Sequence, residues 1–578
     1  MKKILYSLFT ISLLLTLSTS CQKDDPIVKD KGKLISATYH ATYKTFTLTF
    51  SSGQTETVNA VIDNNTTPPT ASVTLDDGTE ISFSDASSSG EASIVTAKDI
   101  TNYQYVNSWI YDEMSIYYLW NDKITRTPDY TIKPDAFFES ILYKYNSTSN
   151  PYGDRFSWIQ DDYLELQDNL RGVVNDEIGF DYIFAWADKE RTHYYALVTY
   201  SKHNTDAKAK GIDRGRFITQ INGQNITASN YKQLFGGTGS KNLSIADWVY
   251  NSENKSYVLQ SSDNVIINMH SKFAENPILM DSVYTYNDKK IGYLVYNFFA
   301  RDRGNKSYEY DKQLMETLNR HKSHGVNEMV LDLRYNSGGE VSSAIALASA
   351  LVKDRSTDNV LAISEYNTIV HNSLLRQLGT GYNQDHFINK IDTAKYDENE
   401  KFIERIKITD VPSLNLPRLY VLTSDWTASA SELVINGLKP YMDVVLIGTT
   451  TYGKNVGSIT IFEEDDEDNK WGMQPIIVRI SNSLGESDFT SGFNPDYEID
   501  EFEDLFLYEF GDINDPLLGK AITLITGTTR SASTKRIATP FSSTQINKTI
   551  SLDRRKNNHK FELYNESLGE DIRELMNN

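Results

Sequence analysis

The chain has 578 residues, with 57 Lys or Arg against 78 Asp or Glu, which gives a formal net charge of −21 at pH 7. Such an acidic chain is repelled by phosphate backbones and anionic lipid surfaces, which argues against nucleic acid and anionic membrane surfaces as partners. Its single cysteine, Cys21, excludes internal disulfides and Cys-ligated zinc. At roughly 150 residues per domain, the length predicts about four structural units.

The N-terminus has the pattern of an export signal. Two lysines precede the apolar stretch 4–17, which is too short to span a membrane with these flanks, and small residues then lead to Cys21. The pattern resembles a bacterial lipoprotein signal peptide (residues 1–20), although Ser18 stands where Leu is usual, and Q-K-D-D-P resembles the export signal of Bacteroidetes surface lipoproteins. We expect an outer membrane lipoprotein attached to lipid through Cys21, exposed at the cell surface or otherwise periplasmic, with residues 21–32 as a tether. A plain secretory signal is the alternative.

The next residues change from strand patterns to helix patterns. Residues 33–85 alternate Thr-rich and Val-rich runs with S-G and D-D-G-T turns, which predicts a small all-β module. The Ser-rich run 84–93 is typical of a linker. In residues 96–170 aromatic and apolar side chains recur at three and four positions, so we expect a helical segment with Trp109 and Met114 in its core.

Residues 171–272 resemble a PDZ domain. The run A-K-A-K-G-I-D-R-G-R-F-I-T-Q-I-N-G is similar to a PDZ sequence pattern, with Arg216 in place of the common aspartate. The resemblance implies that Ile178, Gly179 and Phe180 form a peptide-binding loop, because PDZ domains add a peptide as a strand and capture its C-terminal carboxylate on loop N–H groups. The alternative is that this domain only packs or gates.

From about residue 283 to residue 527 strands alternate with helices. The apolar run in K-K-I-G-Y-L-V-Y-N-F-F-A predicts a buried strand, and the following amphipathic stretch to Gly325 predicts a helix. M-V-L-D-L-R predicts the next strand, which leads into the glycine turn N-S-G-G. This order indicates a layered α and β core.

Two stretches near residue 430 are predicted to form one site. Arg418–Thr423 and Val444–Gly448 have the apolar pattern of buried strands, and Ser431–Leu438 has that of a helix. Ser429 then lies at the helix N-terminus, where unpaired N–H groups favour developing negative charge. Lys454 follows the second strand in a glycine-containing turn.

A serine with a lysine suggests a Ser–Lys dyad. A serine hydroxyl needs a base to take its proton, and a lysine provides that base only in its neutral form, which burial in apolar surroundings favours. The alternative is that T-A-S-A-S-E only caps a helix.

The run T-A-S-A-S-E, followed by T-Y-G-K with its lysine 25 positions after Ser429, resembles the C-terminal processing (tail-specific) serine peptidases, as does D-L-R-Y-N-S-G-G. The resemblance implies a ClpP/crotonase-like core in which Ser429 is the nucleophile and Lys454 the general base. It also implies an oxyanion hole formed by the amides of Ala430 and of Gly338 or Gly339. Protein or peptide substrates follow from the same resemblance.

The sequence departs from the family at two positions. Pro440 stands where some members have an aspartate, and Ser458 stands where many have a glutamine that orients the lysine, so Ser458 is a candidate for that role. A non-catalytic protein that binds proteins or apolar ligands on the same fold therefore remains an alternative, as does a glycan-binding surface module.

No cofactor and no metal site are expected. The acidic run 463–468 lacks the glycine and the alternation of an EF-hand, the histidines form no H-E-x-x-H motif, and no G-x-x-x-x-G-K-[ST] run is present. The predicted fold class is α+β multidomain, with a peptidase core, a PDZ-like domain, a helical segment, a small all-β module and a C-terminal tail of residues 528–578.

Overall fold

The computed structural model describes residues 33–528, except residues 254 and 397–401, and seven positions nearer the C-terminus: 546, 547, 563, 564, 572, 573 and 575. The predicted signal peptide, the tether and Cys21 lie outside the described residues, as does most of the tail. The chain divides into two compact units, Met1–Asn102 and Tyr103–Asn578. Within the described ranges, no helix combines the length and apolar character needed to cross a bilayer.

The first unit consists of short antiparallel strands. They form two four-stranded sheets, in the orders β3-β2-β1-β7 and β4-β5-β6-β8. Tyr39, Phe46, Leu48 and Ile81 form the buried centre of its small core. The strands are β1 (Leu34–His40), β2 (Thr45–Phe50), β3 (Thr55–Asn59), β4 (Val61–Asp63), β5 (Thr70–Thr74), β6 (Glu80–Phe83), β7 (Gly90–Glu91) and β8 (Ser93–Val95).

The predicted linker 84–93 is wrong in its second half. β7 pairs with β1, and β8 pairs with β6, so both short strands complete sheets of the module. Ala92 and Ile94 pack against the small core, and Gly90 lies against the ring of Phe83. A Ser-rich composition suggested a linker, but the two apolar side chains and the glycine allow the chain to pair.

The helical segment opens the second unit. It contains β9 (Trp158–Gln160) and the helices α1 (Ala97–Tyr117), which begins in the first unit, α2 (Pro134–Ile141) and α3 (Tyr163–Leu170), with a 3-10 turn at Asn121–Lys123. Met114 is fully buried and Trp109 is partly buried against the same core cluster, which confirms the predicted core positions. Asp162 caps α3 by accepting hydrogen bonds from two backbone N–H groups.

An antiparallel sheet follows, with the strand order β11-β12-β13-β15-β16 and β11 at one edge. It has a hydrophobic core of its own, in which Phe184, Ile218 and Leu243 are fully buried. Its PDZ character stays a prediction. The elements are β10 (Val173–Val174), β11 (Phe180–Trp186), β12 (Tyr194–Ser201), α4 (Asp206–Ala209), β13 (Phe217–Ile221), β14 (Gln224–Asn225), α5 (Tyr231–Phe235), β15 (Ser240–Asn251), β16 (Ser256–Asn268) and β17 (Phe273–Ala274).

The remaining elements form the layered core. They are β18 (Ile278–Tyr286), β19 (Lys289–Tyr296), α6 (Glu309–Ser323), β20 (Glu328–Asp332), β21 (Gly339–Glu340), α7 (Val341–Leu351), β22 (Val360–Tyr366), α8 (Thr368–Leu378), β23 (Gln384–His386), β24 (Lys390–Tyr396), β25 (Phe402–Asp410), β26 (Arg418–Thr423), α9 (Ala430–Leu438), β27 (Asp443–Gly448), β28 (Val456–Ser458), β29 (Ile461–Phe462), β30 (Gly472–Gln474), β31 (Ile476–Ser481), β32 (Tyr497–Glu498), α10 (Pro516–Thr526) and β33 (Leu563–Tyr564). The strands and helix predicted around Ser429 are therefore confirmed.

The main sheet has the order β18-β19-β20-β26-β27-β32, in which β19 to β32 are parallel neighbours. Successive side chains of β19 point to opposite faces. Tyr293 and Val295 pack with α10, whereas Leu294 and Tyr296 pack with α7 and α9. Burial of both faces explains why these strands are apolar throughout. The mixed α+β class predicted for the chain is confirmed.

A second sheet has the order β21-β33-β28-β31-β22-β23. Its strand β33 comes from the C-terminal segment and lies between two strands of the core. β21 begins at Gly339, and β28 begins two residues after Lys454. The two sheets therefore bring the glycine turn (N-S-G-G, residues 336–339) and the turn that contains Lys454 toward the end of β26, where Ser429 lies.

Candidate functional site

Ser429 lies at the turn between β26 and α9, in a backbone conformation that non-glycine residues rarely adopt (φ 62°, ψ −115°). Such strain persists only where the surrounding structure imposes it, and it is common at functional sites. The side chain is 1% exposed, and its Oγ is buried with no hydrogen-bond partner within the described part of the chain. A buried hydroxyl without a partner indicates a group kept for a ligand or a reaction.

The carboxylate of Glu432 joins the turn before α9 that contains Ser429 (the serine turn) to the turn of residues 451–454 that contains Lys454 (the lysine turn). Its Oε2 accepts hydrogen bonds from the backbone N–H groups of Ser429 (2.9 Å) and Lys454 (2.8 Å). Its Oε1 accepts from the Thr451 hydroxyl (2.6 Å) and the Gly453 N–H (2.8 Å). Because one oxygen holds both Ser429 and Lys454, their amide nitrogens can be no farther apart than these two bonds laid end to end.

Glu432 is fully buried, and burial raises the pKa of its carboxyl, an effect that the four donors oppose. Four donors require an acceptor at both oxygens, so the geometry is that of the ionised form. Glu432 was not predicted as a site residue from the sequence. The signal was present, because S-x-x-E from Ser429 to Glu432 is the spacing of a capping box.

Lys454 is 1% exposed, and its Nζ lies 5.0 Å from the ring centroid of Phe156. The neighbouring Arg155 donates from Nη2 to the carbonyl oxygens of Gly453 (2.8 Å) and Thr490 (3.0 Å). Gly453 is required here, because its φ is 90° and a Cβ would lie 2.4 Å from the Thr490 oxygen. The helical segment thus encloses the lysine turn. No local sequence signal connects Phe156 with Lys454.

The glycine turn is held against the serine turn by Asn336. The Asn336 carbonyl oxygen accepts hydrogen bonds from the Ala428 N–H (3.1 Å) and the Ser431 hydroxyl (3.1 Å). Its side-chain Oδ1 accepts from the Gly338 N–H (2.9 Å), and its Nδ2 donates to the Tyr296 carbonyl (2.8 Å). The asparagine of D-L-R-Y-N-S-G-G therefore fixes two turns at once.

The three predicted oxyanion-hole residues lie close to one another in the fold, and their role stays a prediction. The Gly338 N–H is engaged by Asn336 in this conformation. Gly339 has φ 130°, and a Cβ there would lie 2.0 Å from the Phe299 carbonyl oxygen, so only glycine allows this approach. Ala430 is the first residue of α9, where helix geometry provides no intrahelical partner for the N–H.

A network of buried charged side chains lies next to the residues that precede the glycine turn. Arg334 donates from Nη1 to Glu501 (2.9 Å) and Asp515 (2.8 Å). Arg214, which comes from the β11–β16 sheet region, donates to the same Glu501 (2.6 Å) and to the Tyr335 hydroxyl (2.7 Å). Each buried guanidinium is thus paired, as burial of charge requires. The network connects that region with the residues just before the glycine turn.

The predicted peptide-binding loop is buried and already holds a carboxylate. Ile178 is 5% exposed, Phe180 is 2% exposed, and Gly179 is buried between them. The Gly179 N–H donates to Oε1 of Glu177 (2.7 Å), whose Oε2 pairs with the buried ammonium of Lys202 (2.6 Å). The loop thus binds an anion, but the anion belongs to this chain. Its role in peptide binding stays a prediction.

Ser458, the candidate for orienting the lysine, is buried in β28 and pairs with Ile476 and Tyr564. Arg216, at the unusual position of the PDZ-like run, forms ion pairs with Asp247 (2.8 Å) and Asp263 (3.0 Å). This arginine therefore has a structural role between strands. The role of Ser458 stays a prediction.

The chain matches two family descriptions, peptidase family S41 over residues 290–499 and the peptidase S41 N-terminal domain over residues 105–158. Curated relatives include the "Probable CtpA-like serine protease" of Staphylococcus aureus RF122, 23% identical over 303 residues, which are 52% of this chain and 50% of the relative. Its namesake in Staphylococcus epidermidis is 21% identical over 286 residues, which are 50% of this chain and 48% of the relative. The chain thus spans about half the length of the curated relatives that it matches.

Among solved structures, one named "Putative S41 protease from Bacteroides fragilis NCTC 9343" aligns with a TM-score of 0.58 and 28% identity. The alignment covers 72% of this chain and 97% of that one. It supports the same fold over most of the second unit. The chain is therefore similar to the S41 peptidases, with the family models matching residues 105–158 and 290–499.

Proposed function

We propose that this protein is a serine endopeptidase that cleaves proteins or peptides with a Ser–Lys dyad of Ser429 and Lys454. The observation that carries the proposal is the shared carboxylate oxygen of Glu432, which holds the backbones of both residues while the Ser429 Oγ stays without a partner within the described residues. The match of residues 290–499 to peptidase family S41 supports the same reaction class.

The chemistry follows from these positions. Lys454 takes the proton of Ser429, whose Oγ attacks the scissile carbonyl carbon, and the carbonyl oxygen becomes an oxyanion. Amides of Ala430 and of Gly338 or Gly339 stabilise that oxyanion, which for a single such donor is worth roughly 10² to 10³ in rate. Lys454 then gives its proton to the leaving amine. In the second half of the reaction Lys454 takes a proton from water, which attacks the acyl-enzyme carbonyl. The proton then passes to the Ser429 Oγ as the acyl bond breaks.

The β11–β16 sheet region is assigned to substrate recognition in this proposal. Its edge strand β11 follows Gly179, the arrangement that β-strand addition of a peptide tail requires. The internal carboxylate of Glu177 competes with a tail for the Gly179 N–H. We further propose that a lipid on Cys21 holds the protein at the outer membrane, because the N-terminal pattern is that of a lipoprotein signal.

The test is cleavage of an unfolded protein such as casein by the soluble form beginning at Gln22, with products identified by mass spectrometry. Ser429→Ala and Lys454→Ala should each lower the cleavage rate by roughly 10⁴-fold or more, since loss of either dyad member removes the activated nucleophile. Fragments seen only with the unmutated protein establish both residues.

Two matched variants control for folding. Ser349→Ala changes a fully buried serine in α7, and Lys439→Ala changes a lysine whose Nζ lies 3.9 Å from the Phe493 ring centroid, just after α9. Both should retain activity. Equal cleavage by Ser429→Ala and the unmutated protein would refute the dyad, and no cleavage of any substrate would favour the non-catalytic binding protein.

A further inference from the structure

The strand β33 lies between two strands that border the proposed active site. Leu563 and Tyr564 pair in parallel with Gly339 and Glu340 of β21. On its other side, Tyr564 pairs in parallel with Ser458 of β28. A segment of the chain's own C-terminus therefore occupies the gap between the glycine turn and the strand that follows Lys454.

A peptide in this gap would lie beside both turns of the proposed active site. β21 begins at Gly339, whose amide is a candidate oxyanion donor, and β28 begins two residues after Lys454. A peptide that pairs with both strands brings its main chain beside both elements of the site. Since one strand edge binds one strand at a time, β33 and such a peptide exclude each other.

The side chain of Tyr564 shows what this gap accepts. It is 5% exposed and packs in a cluster with Trp158, Leu166 and Leu170. Its hydroxyl donates to the Leu170 carbonyl oxygen (3.2 Å). An apolar wall with one acceptor at its end is suited to a tyrosine ring, because the ring is buried while the hydroxyl keeps a partner.

A cavity of about 230 Å³ lies beside this pocket, and its lining includes Leu170, Gly338 and Gly339. Glu165 and Asp176, which also line it, are exposed at the surface. The cavity therefore connects the surface with the glycine turn while β33 is in place. The cavity provides room for the neighbours of a peptide residue whose side chain occupies the position of Tyr564.

The C-terminal segment also contacts the proposed recognition region. Ile546 forms an antiparallel bridge with Ala185 of the edge strand β11, and the Asn547 N–H donates to the Phe184 carbonyl (2.9 Å). Ile546 packs beside Ile183 and Trp426. The same segment thus pairs with strand edges at both places where the proposed function needs a substrate.

We propose that the gap between β21 and β28 is a peptide-binding subsite for an extended chain with an aromatic residue, tyrosine above all, and that residues Leu563–Tyr564 occupy it as an internal competitor. The inference rests on the proposed function, because it assigns the substrate class and the regulation of that same site. Release of β33 opens the subsite, and a substrate tyrosine takes the pocket of Tyr564.

The experiment measures binding, so it does not depend on cleavage. A fluorescein-labelled peptide H-K-F-E-L-Y-N-E-S-L, which copies residues 559–568, is titrated into the soluble Ser429→Ala protein and followed by fluorescence anisotropy. Adding Tyr564→Ala to that protein should tighten peptide binding at least tenfold, because the internal strand loses its side-chain contacts. Tyr564→Phe removes the hydroxyl that donates to the Leu170 carbonyl and keeps the ring, so it should tighten binding a few-fold with the fold intact.

Two controls isolate the subsite. A peptide with alanine in place of its tyrosine should bind at least tenfold more weakly to the Tyr564→Ala protein. Tyr310→Ala changes a tyrosine of α6 with the same 5% exposure that is not among the described residues of the cavity lining or of the Tyr564 cluster, and it should leave peptide binding unchanged. In the cleavage assay, Tyr564→Phe should raise kcat/KM for casein.

Equal peptide binding with and without the Tyr564 variants, or no binding by any of them, overturns the inference and shows that β33 is a permanent strand of the sheet. A lower Tm in Tyr564→Ala without tighter peptide binding leads to the same conclusion. Neither result bears on the Ser429 and Lys454 test, so failure of the subsite and failure of the proposed function are distinguishable.

Discussion

Glu432 and Glu177 both hold backbone N–H groups, and they do so in different regions of the molecule. Glu432 lies in the peptidase core and accepts from three amides and one hydroxyl. Glu177 lies before the edge strand β11 and accepts from one amide, that of Gly179, and from the ammonium of Lys202. Both carboxylates are buried, and each accepts a hydrogen bond at a place where the sequence predicted binding of an anion, Glu432 from Ser429 and Glu177 from Gly179.

The difference lies in what each carboxylate leaves available. Glu432 connects two turns and leaves the Ser429 Oγ without a partner among the described residues, so in the proposed function it builds the reaction site. Glu177 occupies the Gly179 amide, which in the proposed function would receive a peptide carboxylate. An internal anion on backbone amides can thus assemble one site and compete for another, depending on whether the substrate needs the same amides.

The largest effect is expected at Glu432. Glu432→Ala leaves three amides and a hydroxyl buried without their acceptor, at a cost of roughly 1 to 3 kcal/mol each where water cannot enter. We expect kcat to fall by on the order of 10²-fold with KM changed little, because the serine and lysine turns separate while substrate contacts remain. Steady-state kinetics with a peptide from the casein digest measure this.

The kcat of Glu432→Gln should lie between that of Glu432→Ala and that of the unmutated protein, since an amide can accept at only one of its two polar atoms. Glu328→Gln is the control, because it changes a buried glutamate paired with Lys289 (2.8 Å), at the start of β20. A Glu432 variant with a lowered Tm and an unchanged kcat would mean that the carboxylate only stabilises the fold.

A smaller effect is expected at Glu177. In the Ser429→Ala protein, adding Glu177→Ala removes the internal competitor from the Gly179 N–H, while Lys202 keeps Glu275 at 2.9 Å. Peptides with a free C-terminal carboxylate should then bind about three- to tenfold more tightly than their amidated forms. Fluorescence anisotropy compares the two. Equal affinity of free and amidated peptides would show that this loop does not capture carboxylates.

The smallest effect is expected at a third buried carboxyl, Asp311. It tests whether the number of hydrogen-bond donors around a buried carboxyl decides whether that carboxyl is ionised. Its Oδ1 accepts from the Ser343 hydroxyl (2.6 Å), and its Oδ2 has no partner within the described residues. Burial raises the pKa of Asp311 from 3.8 to about 7. With so few donors, the folded protein keeps this proton where the unfolded chain releases it.

The folded state therefore binds more protons between about pH 4 and pH 7, and its stability decreases as pH rises through that window. Asp311→Asn removes this titration, so its Tm should depend less on pH, and it should exceed that of the unmutated protein at pH 8. Differential scanning fluorimetry at pH 5 and pH 8 measures both. A larger Tm gain at pH 5 than at pH 8 would contradict the raised pKa.

Local patterns were sufficient to predict much of the secondary structure around the proposed active site. The apolar runs around Arg418–Thr423 and Val444–Gly448 predicted buried strands, and Ser429 was placed at the start of a helix, because these features depend on neighbouring residues alone. The prediction of a linker over the Ser-rich run 84–93 was wrong because it also used neighbouring residues alone. Its pairing with β1 and β6 depends on partners that are distant in sequence.

The sequence by itself determined the order of strands and helices, the family resemblance and the residue types at positions 429 and 454, since periodicity and motif spacing are local. Only the tertiary structure showed that one oxygen of Glu432 holds both residues, that Phe156 covers the lysine, and that Tyr564 lies between β21 and β28. These contacts join segments up to hundreds of residues apart. Long-range packing of strand edges and buried charges decides them, and no local pattern encodes it.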